Sequence, residues 1–163
     1  MNAAILESIQ AGLGGVMSHG TVVLEIAPAA LTDTVRRLKS VFAFDMLLDV
    51  TAIDWPAREP RFDVVWHFYS TQHHVRVRIR TQVAEREPVV ETLTREYGSA
   101  GFLERECHEM YGIRFNGNPD LRPLLLYEGF VGYPLRKDYP KAAEQPLVNY
   151  RPGFDLAERG RGA

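Results

Sequence analysis

The chain has 163 residues, 45% hydrophobic and 25% charged, a balance that supports a folded domain with a real core and excludes wholesale disorder. A net charge of −2 lacks the cationic excess of a nonspecific nucleic-acid binder, and the single cysteine, Cys107, excludes an internal disulfide or a four-cysteine metal or iron–sulfur site. The N-terminal stretch has no basic flank, and no run of about 18 apolar residues occurs, so neither a secretory signal nor a direct membrane span is expected.

Ile5, Leu6, Ile9 and Leu13 recur at helical spacing up to the glycines at 12, 14 and 15, which predicts a short N-terminal helix. The run TVVLEIA predicts a strand. Pro28, followed by Leu31, Val35, Leu38 and Phe42 on one face, predicts a second helix to about residue 41. The runs FDMLLDVTAIDW, RFDVVWHFYS and HHVRVRIRTQV predict three strands, and their short links, PAREP and TQ, imply antiparallel hairpins. In the third run Val75, Val77 and Ile79 alternate with Arg76, Arg78 and Arg80, giving one apolar and one cationic face.

After Pro88, the positions Val89, Val90, Leu93 and Tyr97 predict a helix closed by Gly98. A further helix is predicted over 100–111, with Leu103, Cys107, Met110 and Tyr111 as its apolar stripe. In it Arg105 pairs with Glu109 at i,i+4, and Gly112 supplies the stop. Beyond Phe115 the prolines at 119, 123, 134, 140, 146 and 152 forbid a long helix. The expected fold class is therefore α/β (α+β). Residues 1–112 form a small, largely antiparallel sheet flanked by helices, and residues 113–163 form an extended C-terminal arm.

No nucleotide-binding loop or nucleophile motif is present, and no catalytic, cofactor-binding or metal-binding residue is assigned. Glu104, Arg105, Glu106 and Glu109 read as a solvated or ion-paired helix face rather than an acid–base relay. Glu104 and His108 give only two facing ligands, too few for a metal. His67, His73 and His74 read as structural or surface residues. An RNA-binding sheet would need aromatics on the arginine face, and that face has none in the pattern.

The run EGFVGYPLRKDYP, residues 128–140, is too rich in proline and glycine for a regular helix or a central strand, yet its apolar groups, with the preceding LLLY, call for burial. They must lie on this domain, on a partner, or on both. In it Arg136 suits a bidentate carboxylate, while Lys137 and Asp138 can fix register. Segment 114–141 carries five cations and three carboxylates, 5 − 3 = +2, which an acidic groove on a partner would complement.

The segment ERECHEMYGIRFNGNPDLRPLLLYEGFVGYPLRKDYP, residues 104–140, resembles the 30-kDa-type subunit family of respiratory complex I, the bacterial NADH–quinone oxidoreductase. The resemblance rests on Glu104-Arg105-Glu106, Glu109, Met110-Tyr111, Gly112-Ile113, GNPDLRP and GYPLRKDYP. His108, Glu109, Asn118 and Pro123 depart from the family's usual residues. The resemblance implies a non-catalytic scaffold subunit of the peripheral arm, on the cytoplasmic face of the membrane. It implies partner-binding roles for Glu104, Arg105, Glu106, Glu109, Gly112, Asp120, Leu121, Arg122, Gly132, Pro134, Arg136, Lys137 and Asp138.

The implied partners are the 49-kDa-type subunit and other peripheral-arm subunits, on which the arm of residues 113–163 docks. FMN, iron–sulfur clusters and quinone belong to those partners and none to this chain. The same scaffold role in a hydrogenase-type or other complex I-related oxidoreductase, or an independent small-molecule or RNA-binding domain, remain the alternatives.

Overall fold

Residues 2–142 are described by the computed structural model, and the rest of the C-terminal arm, including QPLVNYRPGFDL, lies outside them. Helix α1 covers Asn2–Leu13 and buries Ile9 completely. Strands β1 (Val16–Ser18) and β2 (Thr21–Glu25) then form an antiparallel hairpin. β1 is too short to carry a readable alternation, and the sequence pattern does not reveal it. A 3-10 turn over Pro28–Ala30 leads into helix α2, Leu31–Ser40, which buries Leu31, Val35 and Leu38. The expected apolar face is thus the buried one.

Three nine-residue strands follow: β3 (Met46–Asp54), β4 (Phe62–Ser70) and β5 (Val75–Val83). They pair as the two antiparallel hairpins that the short links imply. The sheet order is β1-β2-β5-β4-β3, with β2–β5 its one parallel pair, so it is largely antiparallel. Val22, Leu24, Val50, Ala52, Val64, Trp66, Phe68, Val77 and Ile79 form its buried face and join α1 and α2 in one core. The opposite face borders a surface cavity lined only by strand residues.

The helix expected over Val89–Tyr97 does not form. Val89–Glu91 is a strand, β6, which pairs in parallel with β7 (Arg114–Asn116), and turns follow over residues 94–96 and 98–99. Val90, Leu93 and Tyr97 are buried as a helical stripe would be, but the backbone partners of β6 come from a strand more than twenty residues later. Helix α3, Ala100–Tyr111, connects the two and packs on β3. It matches its expected bounds. The core continues past Gly112, since Ile113 and Phe115 are fully buried.

Candidate partner-binding site

α3 and the segment after β7 together gather the residues of the 104–140 motif. The helix ends at Gly112, whose φ of 77° is left-handed and whose N–H donates to His108 O at 2.7 Å. A helix end leaves carbonyls without intrahelical donors, and here the C-terminal arm supplies two. Leu135 N–H donates to Met110 O at 3.2 Å and Arg136 Nε to Tyr111 O at 2.6 Å. A Cβ at position 112 would lie 2.6 Å from the Tyr133 ring and 2.7 Å from Arg136 Nη2, so this approach of arm to helix requires glycine.

The sequence pattern suggested a charged face of α3 that is solvated or paired along the helix, but Glu104, Arg105 and Glu109 are instead turned into contacts with other segments. Glu104 is fully buried and accepts from Leu93 N–H at 2.7 Å, Thr92 Oγ1 at 2.6 Å and Asn118 Nδ2 at 2.8 Å. Burial pushes its pKa up, with those donors pulling the other way. The expected Arg105–Glu109 pair is replaced by longer-range contacts. Arg105 donates to the carbonyls of Arg122 and Pro123, both at 2.9 Å, while its Nη1 lies 3.5 Å from Asp120. Buried Glu109 accepts from the backbone N–H groups of Leu124, Leu125 and Leu126 at 2.9, 2.8 and 3.2 Å. These acidic groups fold the irregular segment onto the helix because its backbone has no ladder to satisfy it. Glu106 alone of the four is exposed.

Asp120 accepts from Arg122 through the backbone N–H at 3.0 Å and through Nε and Nη2, each at 2.9 Å, which holds its carboxyl well below the usual range. Arg122 is otherwise exposed, and half-buried Leu121 packs against the core. Gly132 (φ 95°) permits Tyr139 to close over it, and Pro134 stands half-buried beside Leu135.

A second cluster of enclosed charges lies where the arm meets the sheet, and the sequence reading did not single out its members on the sheet side, Asp54 and Arg61. Arg61, 5% exposed, donates from Nε and Nη2 to Asp54 at 2.7 and 2.8 Å, and from Nη1 to Glu85 at 2.5 Å and Asp138 at 2.9 Å. Lys137 N–H donates to Asp54 Oδ2 at 2.7 Å. Arg136 lies over the rings of Phe62 and Tyr133, with 5.0 and 4.5 Å to the centroids. Among the described residues, then, Arg136 binds a carbonyl and two rings rather than a carboxylate, and Asp138 binds Arg61. The available signal was Asp54 and Arg61 themselves, ionisable residues beside the apolar strand runs.

With these groups turned inward, the arm leaves Leu125, Val131, Tyr133 and Leu135 exposed, together with Phe102 of α3. Among the described residues no helix is long and apolar enough to cross a membrane, and no group of three or more His, Cys, Asp or Glu is placed to hold a metal.

The family model for the 30 kDa subunit of respiratory-chain NADH dehydrogenase matches residues 24–145. The C-type subunit of the Xanthobacter autotrophicus NADH-quinone oxidoreductase is 40% identical over 150 residues, 86% of this chain and 71% of that one. Its counterpart in the Ruegeria pomeroyi NADH-quinone oxidoreductase is 44% identical over 126 residues, 76% of this chain and 62% of that one. The chain thus spans about two thirds of the length of these relatives. A trypsin-resistant fragment of Nqo5 superposes with a TM-score of 0.64 at 29% identity, covering 74% of this chain and all of the fragment. A chain of the membrane-bound sulfane sulfur reductase, an archaeal respiratory membrane complex, superposes with a TM-score of 0.70 at 25% identity, covering 86% of this chain and 84% of that one. The motif read in the sequence, the mixed sheet and these matches agree, and the chain belongs to the 30 kDa subunit family of respiratory-chain NADH dehydrogenases.

Proposed function

We propose that this chain is a structural subunit of the peripheral arm of a proton-pumping NADH–quinone oxidoreductase, holding the 49-kDa-type subunit and neighbouring electron-transfer subunits in fixed relation. The observation that carries this reading is the division of labour within the arm. Its charged and backbone groups are anchored on α3, β3 and β4, while Leu125, Val131 and Leu135 point outward, 62%, 71% and 48% exposed. An irregular segment fixed in this way presents a rigid apolar ridge to a neighbour, at little further ordering cost on association. The relatives' own naming, as subunits of NADH-quinone oxidoreductase, supports the kind of complex.

In this reading the chain itself carries no catalytic residue. FMN, iron–sulfur clusters and quinone are held by its partners, and it sits peripherally on the cytoplasmic face of the membrane without spanning it or binding nucleic acid. Its contribution to the reaction is geometric, because electron transfer and quinone reduction depend on the spacing of the groups that carry them.

The test is Val131→Asp combined with Leu135→Asp, purified through a tag on the 49-kDa-type subunit. The expected result is loss of this chain from the complex and loss of NADH–quinone activity, with the isolated chain's melting temperature unchanged. Normal assembly with a selective loss of chemistry would overturn the scaffold reading. A second reading, the same role in another complex I-related oxidoreductase, is favoured by the superposition on the sulfane sulfur reductase chain. Partners that co-purify without NADH activity would select it.

A further inference from the structure

The face of the sheet away from the helices departs from the apolar-in, polar-out division of a half-solvated antiparallel sheet. It borders a cavity of about 500 Å³ that runs from one edge strand to the other, with Val16 and Val23 on one side and Ile53 on the other. Val16 is 69% exposed and Ile53 40%, whereas Val65 between them is buried yet stands outside the main core. On central β5, Arg80 is matched by Glu25 and lies 3.7 Å from Asp63, which Arg58 and Trp55 also bind. The buried Nε atoms of Arg78 and Arg80 have no hydrogen-bond acceptor among the described residues, but Arg78, opposite His67 and Val23 in register, also has no ion pair among them.

A guanidinium is satisfied in its own plane, and with Nε enclosed a carboxylate arriving from outside would meet the two Nη groups of Arg78. A small free carboxylate would answer Arg78 but leave the apolar rims on both edge strands uncovered. We propose that this open face is a second docking surface, occupied by an extended segment of a partner subunit that places a carboxylate on Arg78 and apolar side chains over Val16, Val23 and Ile53. The inference rests on the reading of the chain as a subunit. It concerns a face separate from the ridge formed by the C-terminal arm.

The experiment uses Val16→Cys and Ile53→Cys, one thiol on each edge strand. The native Cys107 is 2% exposed and does not compete for the reagent. Maleimide labelling of this chain is followed in the isolated full-length protein and in the complex purified through a neighbouring subunit, with labelled sites read by peptide mass spectrometry. Both rims are expected to label at least about tenfold more slowly in the complex. Arg78→Gln and Arg78→Glu should restore fast labelling, and Arg78→Lys should retain part of the protection.

Equal rates in a complex that contains the chain would overturn the inference and leave the subunit reading intact. Protection already present in the isolated chain, or protection that survives both Arg78→Gln and Arg78→Glu, would overturn it as well. Failure of the unmodified chain to co-purify with any other subunit would instead be the failure of the subunit reading, and the docking surface would fall with it.

Discussion

The backbone N–H of Lys137 donates to Asp54 Oδ2 at 2.7 Å, joining the C-terminal arm to a strand 83 residues earlier. The same carboxylate holds the guanidinium of Arg61, which is almost fully enclosed. Removing one partner of a buried ion pair leaves the other charge unanswered, so Asp54→Ala should destabilise the protein by about 3–5 kcal/mol. It should also free the arm. Urea denaturation gives the first quantity, and faster tryptic cleavage after Arg136 or Lys137 reports the second.

Gly112 makes a separate prediction about the same closure. In Gly112→Ala the new methyl meets the Tyr133 ring and Arg136 within 3 Å while forcing a left-handed backbone on a residue with a side chain. A loss of about 1–3 kcal/mol is expected, most of it expressed as release of residues 133–136 from the helix end. Hydrogen exchange at the Leu135 amide, which donates to Met110 O, should rise more than exchange within the sheet.

Glu109 supports the arm from the other side. In Glu109→Gln one carboxylate oxygen becomes an amide nitrogen, so the amides of Leu124, Leu125 and Leu126 can no longer all be answered. The expected cost is about 1–3 kcal/mol by thermal or chemical denaturation. Glu106→Gln, on the exposed side of the same helix, should change stability by no more than about 0.5 kcal/mol.

Acid should act on these groups in opposite senses. The bonds from Arg61 hold Asp54 and Asp138 below their ordinary carboxylate range. Their contribution is complete above an unfolded pKa of about 3.9 and is lost as pH falls through the depressed folded values. Release of the arm, followed by pepsin cleavage, is therefore expected only below about pH 4. Burial raises Glu104, so stability falls as pH rises from its unfolded value of about 4.3 towards its folded one. Glu104→Gln should flatten that part of the pH–stability curve, although the loss of a matched acceptor lowers the curve as a whole.

Much of the fold was legible because long periodic segments carry their own evidence. The alternation in β5 and the stretch from Ala100 to Tyr111 are set by residues that neighbour each other in the chain. Residues 89–98 were misread because Val90, Leu93 and Tyr97 have helical spacing, while the partner that makes Val89–Glu91 a strand comes from β7. Glu104 was misread for a related reason. Its surroundings in sequence are charged, but its donors come from residues 92, 93 and 118. The motif in 104–140 was visible as a unit. That Arg136 and Asp138 close on their own domain depends on Phe62, Arg61 and Asp54, which no local pattern connects to them.

The attachment of the arm also favours one order of folding. Bringing Lys137 directly to Asp54 closes 83 residues of chain, whereas once α3 rests on β3 the remaining closure spans only the 25 residues between Tyr111 and Arg136. On the logarithmic dependence of loop entropy, the second route saves about 1 kcal/mol. It also finds the exposed carbonyls of the helix end already in place. The entropically cheaper route forms the sheet and α3 first and seals the arm last. A chain still short of Lys137 during synthesis lacks the latch, and on this route the apolar ridge acquires its fixed shape only when the arm has been made and has closed.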